Sequence, residues 1–474
     1  MHERYGPVVR TGPNNLDLDL PELIKTIYTT DGRWPKTGFY PPASNVVDGK
    51  VVYNVFSLCD PAEHARQKRP IAKHYSLPSI LQLEGHVDEA ILLFCRQLED
   101  RFMTSKDGSF GESFDLGEWI SMYAWDVIGQ ITFSKHFGYL EKGCDFDGHI
   151  WLSAIGSDYL AAVSQLPYLD RWIDKNPIFP IGGATRLLAP TLRRFRDRMH
   201  GGLDDGHKRT TAAPDFLDRF VQAKAEHPDV VDDGQIVSYL AINMLAGADT
   251  TAIAIKAVLY HVLRTPRVRK RLEESLAAAA AAARKPDDEH AVVPTYAEAR
   301  AVPYLEAAVR EAMRLHPAVA MTLPRHVPQP RPDGGASPPP PSPPLVLPDG
   351  TVVPPGTSVG MNPYVVGRNR AAFGADADDF RPERSLRAEA EGEAEFAKRL
   401  AAMNAADLTF GAGSHVCLGR HLGLVEVYKV VATLFASYEM GMVRPEKEWW
   451  TRNGFFLRQK GLNVRMRRRD CVVV

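Results

Sequence analysis

The stretch from Phe410 to Arg420 places a single thiol among glycines. It reads Phe-Gly-Ala-Gly-Ser-His-Val-Cys-Leu-Gly-Arg, and its cysteine is Cys417. Glycines let a backbone turn tightly and come close to a flat ligand. A thiolate at the start of the helix predicted over 418–438 is favoured by the positive end of that helix. The combination is typical of an axial ligand to a heme iron.

Two other interpretations of this stretch have to be weighed. A lone cysteine in apolar surroundings is more often a small buried hydrophobic residue than a ligand. The glycine spacing also partly matches a dinucleotide-binding loop, but Val416 stands where that pattern needs its third glycine. The dinucleotide interpretation therefore fails, and the heme interpretation needs support from elsewhere in the chain.

A second candidate lies in the middle of a long predicted helix over 232–265. Asp232 can cap its start and Pro266 ends it, which gives roughly 50 Å of helix. Its centre reads Ala-Gly-Ala-Asp-Thr-Thr and includes Asp249 and Thr250. Glycine, aspartate and threonine are unfavourable inside a helix, so their occurrence together here indicates a local irregularity of the helix that serves a function. A threonine hydroxyl bonded back to a helix carbonyl is the purely structural alternative.

A third candidate is an acid–base pair in a helix predicted over 303–315. Glu311 and Arg314 are three residues apart, so their side chains share one face of that helix. An exposed pair of this kind adds little to stability. Breaking a buried pair costs roughly 3–5 kcal/mol. The spacing alone leaves both environments open.

Taken together, these motifs resemble those of the cytochrome P-450 superfamily and occur in its order. The pattern Phe-x-x-Gly-x-x-x-Cys-x-Gly resembles the heme loop of that family, and the resemblance runs from about Tyr5 to near Val464. It implies heme b as cofactor, with an axial thiolate from Cys417. It also assigns three loop residues to the cofactor pocket, namely Phe410, Gly411 and Gly419.

The resemblance further implies partners for the heme propionates. His64 and Lys68 lie on a basic, helical segment where the family offers such partners. Arg325, in Leu-Pro-Arg, and His415, two residues before the thiolate, complete the set. The family usually has arginine at the position of Lys68, and an ammonium cannot make the bidentate contact of a guanidinium.

The same resemblance gives roles to the other two motifs. Asp249 would act as the acid and Thr250 as the hydroxyl in dioxygen activation, in a groove of the helix above the heme. Thr251 is expected to face away. Glu311 and Arg314 match the family's buried Glu-x-x-Arg pair. Arg384, in Phe-Arg-Pro-Glu-Arg, would bind to that pair.

Composition limits the class of protein. Among the 474 residues, 57 Lys and Arg stand against 58 Asp and Glu, a net charge of -1 that gives no reason to expect nucleic acid as a partner. Five scattered cysteines lack the spacing of a zinc site or a disulfide framework, which indicates a reducing, cytosol-facing environment. No apolar run of about 18 residues is present, so we expect that a membrane anchor is absent from the sequence as given.

The element pattern predicts a mainly α fold with a smaller β-rich region, the cytochrome P-450 fold, with the heme beneath the long central helix. We expect one heme-thiolate monooxygenase domain over 1–474. Its predicted parts are β-rich segments over 1–60 and about 320–370, helical segments over 60–317 and 418–438, a Pro-rich loop insertion over 329–344 and a basic tail over 465–474.

The resemblance implies a heme-dependent monooxygenase that inserts one oxygen atom from dioxygen into a lipophilic small molecule, in secondary metabolism or detoxification. Electrons would come from NADPH through NADPH-cytochrome P-450 reductase, with cytochrome b5 as an additional donor. The alternatives are a heme-thiolate isomerase, dehydratase or peroxygenase, and a non-catalytic heme-binding protein.

The start of the chain is similar to fungal microsomal members, and the segment Asp48–Val52 to a pisatin demethylase-like group. Microsomal members carry a membrane helix upstream. We therefore expect the full-length form at the cytosolic face of the endoplasmic reticulum membrane if such an anchor was lost, and in the cytoplasm otherwise.

Overall fold

The structure, a computed structural model, describes most of the chain. The described residues are 1–47, 49–103, 109–176, 183–200, 213–283, 293–329 and 344–469. Asp48, most of the predicted Pro-rich insertion (330–343) and the last five residues with Cys471 lie outside these ranges.

Most of the described chain is helical. The α-helices are α1 (His2–Tyr5), α2 (Ile24–Ile27), α3 (Pro61–Ala72), α4 (Leu77–Leu81), α5 (Glu84–Phe102), α6 (Leu116–Phe133), α7 (Tyr139–Lys142), α8 (His149–Val163), α9 (Gly183–His200), α10 (Phe216–Glu226), α11 (Asp233–Arg264), α12 (Pro266–Ala283), α13 (Tyr296–Arg300), α14 (Pro303–Leu315), α15 (Pro363–Val366), α16 (Arg370–Phe373), α17 (Glu393–Ala405) and α18 (Arg420–Ser437). Single 3-10 turns occur at Pro21–Leu23, Pro41–Ala43, Lys73–Tyr75, Pro167–Leu169, Pro382–Ser385 and Gly413–His415.

The strands are short and form small sheets. They are β1 (Val8–Gly12), β2 (Asn15–Leu18), β3 (Asn45–Val47), β4 (Lys50–Val52), β5 (Phe114–Asp115), β6 (Arg325–His326), β7 (Leu345–Val346), β8 (Val352–Val353), β9 (Ser358–Gly360), β10 (Tyr438–Met442), β11 (Trp450–Asn453), β12 (Leu457–Lys460) and β13 (Asn463–Arg468). The larger sheets have the orders β1-β2-β9-β6 and β10-β13-β5, and the remaining strands pair as β3-β4, β7-β8 and β11-β12. Helix with a smaller β region confirms the predicted fold class.

The first part of the predicted basic tail is a strand. Residues 465–468 belong to β13, which pairs antiparallel with β10 and places Tyr438 opposite Arg468. Val464 and Met466 are buried, whereas Arg465 between them is exposed. This alternation buries one face of the strand, which is why the basic stretch is ordered there.

The long central helix α11 organises the core. Its start is capped by Asp232, whose side chain accepts a hydrogen bond from the Gln235 N–H at 2.7 Å. It ends at Thr265, before Pro266. Within the described residues α11 alone is long and apolar enough to cross a membrane, yet 67% of its most apolar window is buried inside the fold. The main hydrophobic core packs around it, with residues from α5, α6, α14 and α18.

Candidate active site

The loop that carries Cys417 is shaped by backbone contacts. The Cys417 N–H donates to the Phe410 carbonyl at 2.8 Å, which closes the loop on itself. Gly411 has φ 69° and Gly413 has φ 67°, a conformation that favours glycine. A side chain on Gly413 would collide with the backbone of Tyr28. The glycine pattern is therefore a steric requirement of this loop, and α18 begins directly behind it.

The Cys417 thiol borders a cavity of about 590 Å³. Burial raises the pKa of this thiol above its ordinary value, whereas the Gly419 N–H and the nearby cations Arg420 and Lys68 act to lower it. The loop thus presents an N–H group and positive charge to the sulfur. Both would stabilise a thiolate that binds a metal.

The cavity extends between the Cys417 loop and the centre of α11. Ala246, Gly247 and Thr250 border it from the helix. Apolar side chains form most of the remaining wall, among them Leu152, Ile155, Leu160, Leu188, Val319 and Phe455. A flat apolar ring bound in this cavity would therefore lie between the Cys417 thiol and the Ala246–Thr250 segment of α11.

Thr250 makes the hydrogen bond that the structural alternative required. Its Oγ1 donates to the Ala246 carbonyl at 2.6 Å, and its side chain still borders the cavity. Thr251 is 5% exposed and also borders the cavity, with its Oγ1 close to Gly423 of α18. The expectation that Thr251 faces away is wrong, because the cavity wraps around this side of the helix.

Asp249 does not border the cavity. Its Oδ1 accepts a hydrogen bond from Trp125 Nε1 at 3.2 Å, and its Oδ2 accepts one from Ser153 Oγ at 2.7 Å. Burial raises the pKa of the Asp249 carboxyl, and these two bonds oppose the increase. Sequence reasoning missed Ser153, because a single serine in a predicted helix carries no signal of a partner on another helix.

Four predicted propionate partners meet at one end of the cavity. Lys68 Nζ donates to the Ser414 carbonyl at 2.8 Å, beside the thiol loop. The rings of His64 and His415 lie 4.2 Å apart, and the buried Nδ1 of His415 has no hydrogen-bond partner. The Arg325 side chain is 4% exposed and donates to the Tyr40 hydroxyl.

Sequence reasoning missed a fifth basic residue at this end of the cavity. Lys36 forms a backbone bridge with Arg325 and is also 4% exposed. Its Nζ donates to the Phe56 carbonyl at 2.7 Å, and in the described part of the chain neither cation forms an ion pair with a carboxylate. Like charges facing each other across strands are destabilising. Burial and the adjacent Arg325 lower the pKa of Lys36 well below its ordinary value, so an anion beside the two side chains would favour the charged form of this lysine.

These features fit a heme. The group carries two carboxylates on the edge of a flat apolar ring, and this cavity offers unmatched cations, an orphaned imidazole nitrogen, apolar walls and a thiol. Lys36, Lys68 and Arg325 could hold the carboxylates, and Cys417 could hold the iron. Within the described residues no cluster of three or more metal-ligating side chains competes for a metal.

The Glu311–Arg314 pair is buried, which resolves the environment that its spacing left open. Arg314 donates to Glu311 at 2.9 Å and 2.7 Å, and Arg384 Nε donates to the same carboxylate at 3.2 Å. The Glu311 and Arg384 side chains are each 2% exposed. Arg314 also donates to the Gly367 and Ala377 carbonyls. The cluster therefore ties α14 to the chain that follows α15.

Comparison with known proteins identifies the family. The cytochrome P-450 family model matches residues 1–466. The cytochrome P-450 monooxygenase cfoH of Aspergillus candidus is 42% identical over 476 residues, which cover 100% of this chain and 84% of that protein. The monooxygenase cicH of Emericella nidulans is 34% identical over 482 residues, which cover 100% of this chain and 88% of the relative. A cytochrome P-450 monooxygenase of Aspergillus flavus is 35% identical over 483 residues, which cover 99% and 87%.

The chain therefore belongs to the cytochrome P-450 family. This confirms the predicted family, the fold, the heme cofactor with its cysteine-ligated iron, and the class of heme-dependent monooxygenase. Membership also implies a redox partner and a small-molecule substrate. An isomerase, dehydratase, peroxygenase or carrier role is not favoured.

Proposed function

We propose that this monooxygenase oxidises a lipophilic small molecule in fungal secondary metabolism, with the heme held between Cys417 and the centre of α11. The observation that carries the proposal is the cavity itself. It brings the thiol, the Thr250 hydroxyl and a cluster of unmatched cations to a single apolar space. When bound, the heme supplies the activation of dioxygen, and its thiolate ligand favours cleavage of the oxygen–oxygen bond.

The protein residues around the heme divide the remaining tasks. Cys417 binds the iron, while Phe410, Gly411 and Gly419 shape the loop against the ring. Lys68 and Arg325 bind the propionates, and His64 and His415 line the same edge. The family pattern places all of these residues around the heme, and all of them border the cavity.

Thr250 and Asp249 move protons on the other side of the ring. The Thr250 hydroxyl can accept one hydrogen bond and donate another, which suits it to pass a proton to an acceptor in the cavity. Asp249, whose carboxyl is bonded to Trp125 and Ser153, serves as the acid of this site. Glu311, Arg314 and Arg384 hold the scaffold on the thiolate side and take no part in the chemistry.

The cavity favours an apolar substrate. Polar groups on its walls are already bonded within the protein: Ser157 Oγ accepts from the Phe456 N–H at 3.1 Å, Tyr159 donates to Asp170 at 2.7 Å, and Asn45 donates to Ser238 at 3.3 Å. Few polar groups are left to form the hydrogen bonds that would offset the desolvation of a polar ligand. A lipophilic molecule is therefore the best match.

The electron donor is NADPH-cytochrome P-450 reductase, with cytochrome b5 as an additional donor. Arg420 is exposed and directly follows the thiol loop, so it offers positive charge to an acidic partner close to the heme. A reductase of this kind is anchored in a membrane, so the cytosolic face of the endoplasmic reticulum is the proposed location of the full-length form.

Isotope incorporation tests the proposal. The protein would be combined with NADPH, the reductase and a panel of lipophilic compounds under oxygen-18 gas. We expect one labelled oxygen atom in the product, because the second atom leaves as water. Product whose added oxygen comes from water, or conversion without dioxygen, would contradict monooxygenation.

A further inference from the structure

Asp249 is held by two uncharged donors. Trp125 on α6 donates to one carboxyl oxygen at 3.2 Å, and Ser153 on α8 donates to the other at 2.7 Å. Neither Asp249 nor Trp125 borders the cavity. The carboxyl therefore has a fixed orientation and cannot reach the cavity without breaking one of these two hydrogen bonds.

Ser153 stands between this carboxyl and the cavity. Its side chain borders the cavity, whereas Asp249 does not. Ser153 is 5% exposed, so its hydroxyl is not freely solvated. The shortest bonded connection from the acid to the reaction space that the structure shows is this one hydroxyl.

We propose that Ser153 relays protons between Asp249 and the cavity, and that Trp125 is a positioning residue that keeps the carboxyl turned towards Ser153. The inference deepens the proposed function and rests on it, since it concerns the proton supply for the same reaction. In this relay the acid is fixed and the Ser153 hydroxyl rotates.

The transfer balances within these groups. In the protonated state the carboxyl O–H donates to Ser153 Oγ, and the Ser153 O–H turns to an acceptor in the cavity. The Ser153 proton moves to that acceptor while the Asp249 proton moves to Ser153. The resulting carboxylate accepts from Ser153 and Trp125, which is the arrangement in the structure. Between turnovers it regains a proton from bulk solvent by the reverse transfer through the Ser153 hydroxyl.

Burial and nearby charges act in opposite directions on the pKa of the Asp249 carboxyl. Burial raises the pKa of its carboxyl. Lys256 on the same helix and Arg458 on β12 act in the opposite direction. Lys256 is itself buried and bonded to Ser121, with its pKa lowered to about 8, and His149 on α8 also senses the Asp249 charge.

Substitution of the serine tests the relay. Ser153→Ala should lower product formation about a hundredfold, the lower end of what a positioned general acid contributes. NADPH use should continue, with hydrogen peroxide released instead. Ser153→Thr keeps the hydroxyl and should stay within about threefold of the wild type. Trp125→Phe should give an intermediate loss, because the carboxyl is still present but free to turn.

Ser164→Ala is the matched control. Ser164 follows α8, is 3% exposed, and its Oγ has no hydrogen-bond partner. It is a buried serine at the other end of the same helix, so its loss should leave coupling unchanged.

A readout that does not depend on turnover is the infrared band of the Asp249 carboxyl in the resting protein, assigned by its loss in Asp249→Asn. We expect this band to shift in Ser153→Ala and Trp125→Phe but not in Ser164→Ala. Wild-type coupling in Ser153→Ala, or an unshifted band, would overturn the relay. Weaker substrate binding with normal coupling would also overturn it, since Ser153 would then be a substrate contact. If Ser153→Ala stays coupled but Thr250→Ala is uncoupled in the same assay, the relay is wrong and the proposed function still stands.

Discussion

At the residue scale, the site joins groups that differ greatly in how visible they are in the sequence. The thiol, its glycines and His415 lie within one loop, so residues that are close in the sequence are also close in the structure. Lys36 and Ser153 are different. Each meets its partner through a contact between distant segments, Lys36 with Arg325 and Ser153 with Asp249. No local pattern marks such contacts, so these two residues could not be found before the fold was known.

Thr250 is predicted to be needed for product formation but not for the consumption of NADPH. Thr250→Ala removes the hydroxyl that borders the cavity and its bond to the Ala246 carbonyl. Product formation should fall by about 10²–10⁴-fold while NADPH and dioxygen are still consumed and hydrogen peroxide accumulates. Product per NADPH is the measurement. Thr250→Ser should retain most of the coupling, and an efficient alanine variant would show that another group delivers the proton.

Lys36 is predicted to bind a carboxylate of the heme. Lys36→Met removes one of two adjacent buried basic side chains, so the apoprotein should bind hemin about thirtyfold or more weakly, which corresponds to the lower end of the roughly 2–5 kcal/mol for truncating one partner of a buried charge pair. Hemin dimethyl ester lacks both carboxylates and should bind the two proteins equally well. The titration follows the absorption of the bound porphyrin. An equal loss for both porphyrins would mean that the lysine only supports the local packing.

At the scale of elements, the sequence predicted well the two helices that carry the Asp249–Thr250 and Glu311–Arg314 motifs. Helix α11 was expected over 232–265 and is observed over Asp233–Arg264, because its cap and its proline are both local signals. Helix α14 begins at Pro303 and ends at Leu315 as expected. The buried cluster on α14 could not be derived from spacing alone, since burial depends on the chain around Gly367 and Ala377.

The two ion pairs of α14 allow a matched comparison of burial. Glu311→Ala leaves the guanidinium groups of Arg314 and Arg384 without a carboxylate in the core, so the free energy of unfolding should fall by roughly 3–5 kcal/mol. Glu306 on the same helix pairs with Arg300 at 2.7 Å, with 47% and 37% of the side chains exposed. Glu306→Ala should therefore cost about 1 kcal/mol or less. Denaturant unfolding and heme content measure both, and equal small effects would show that the buried cluster is not structural.

At the scale of the whole molecule, the fold brings four distant parts of the chain around one cavity. The basic segment on α3, the centre of α11, the strand at Arg325 and the loop before α18 all border it. The sequence predicted the helical class and the central helix, but it took the stretch from Arg465 for a tail. That stretch is a strand because β10 is available to pair with it, which only the assembled fold shows.

The central claim is that the Cys417 thiolate binds the heme iron. The most direct measurement is the absorption spectrum of the reduced protein with carbon monoxide, since a thiolate opposite the carbon monoxide shifts the main band far to the red. We predict that Cys417→Ala loses this shifted band, whereas Cys144→Ala, which changes an exposed thiol, retains it. A shifted band that persists in Cys417→Ala would show that a different thiol is the ligand and would contradict the account.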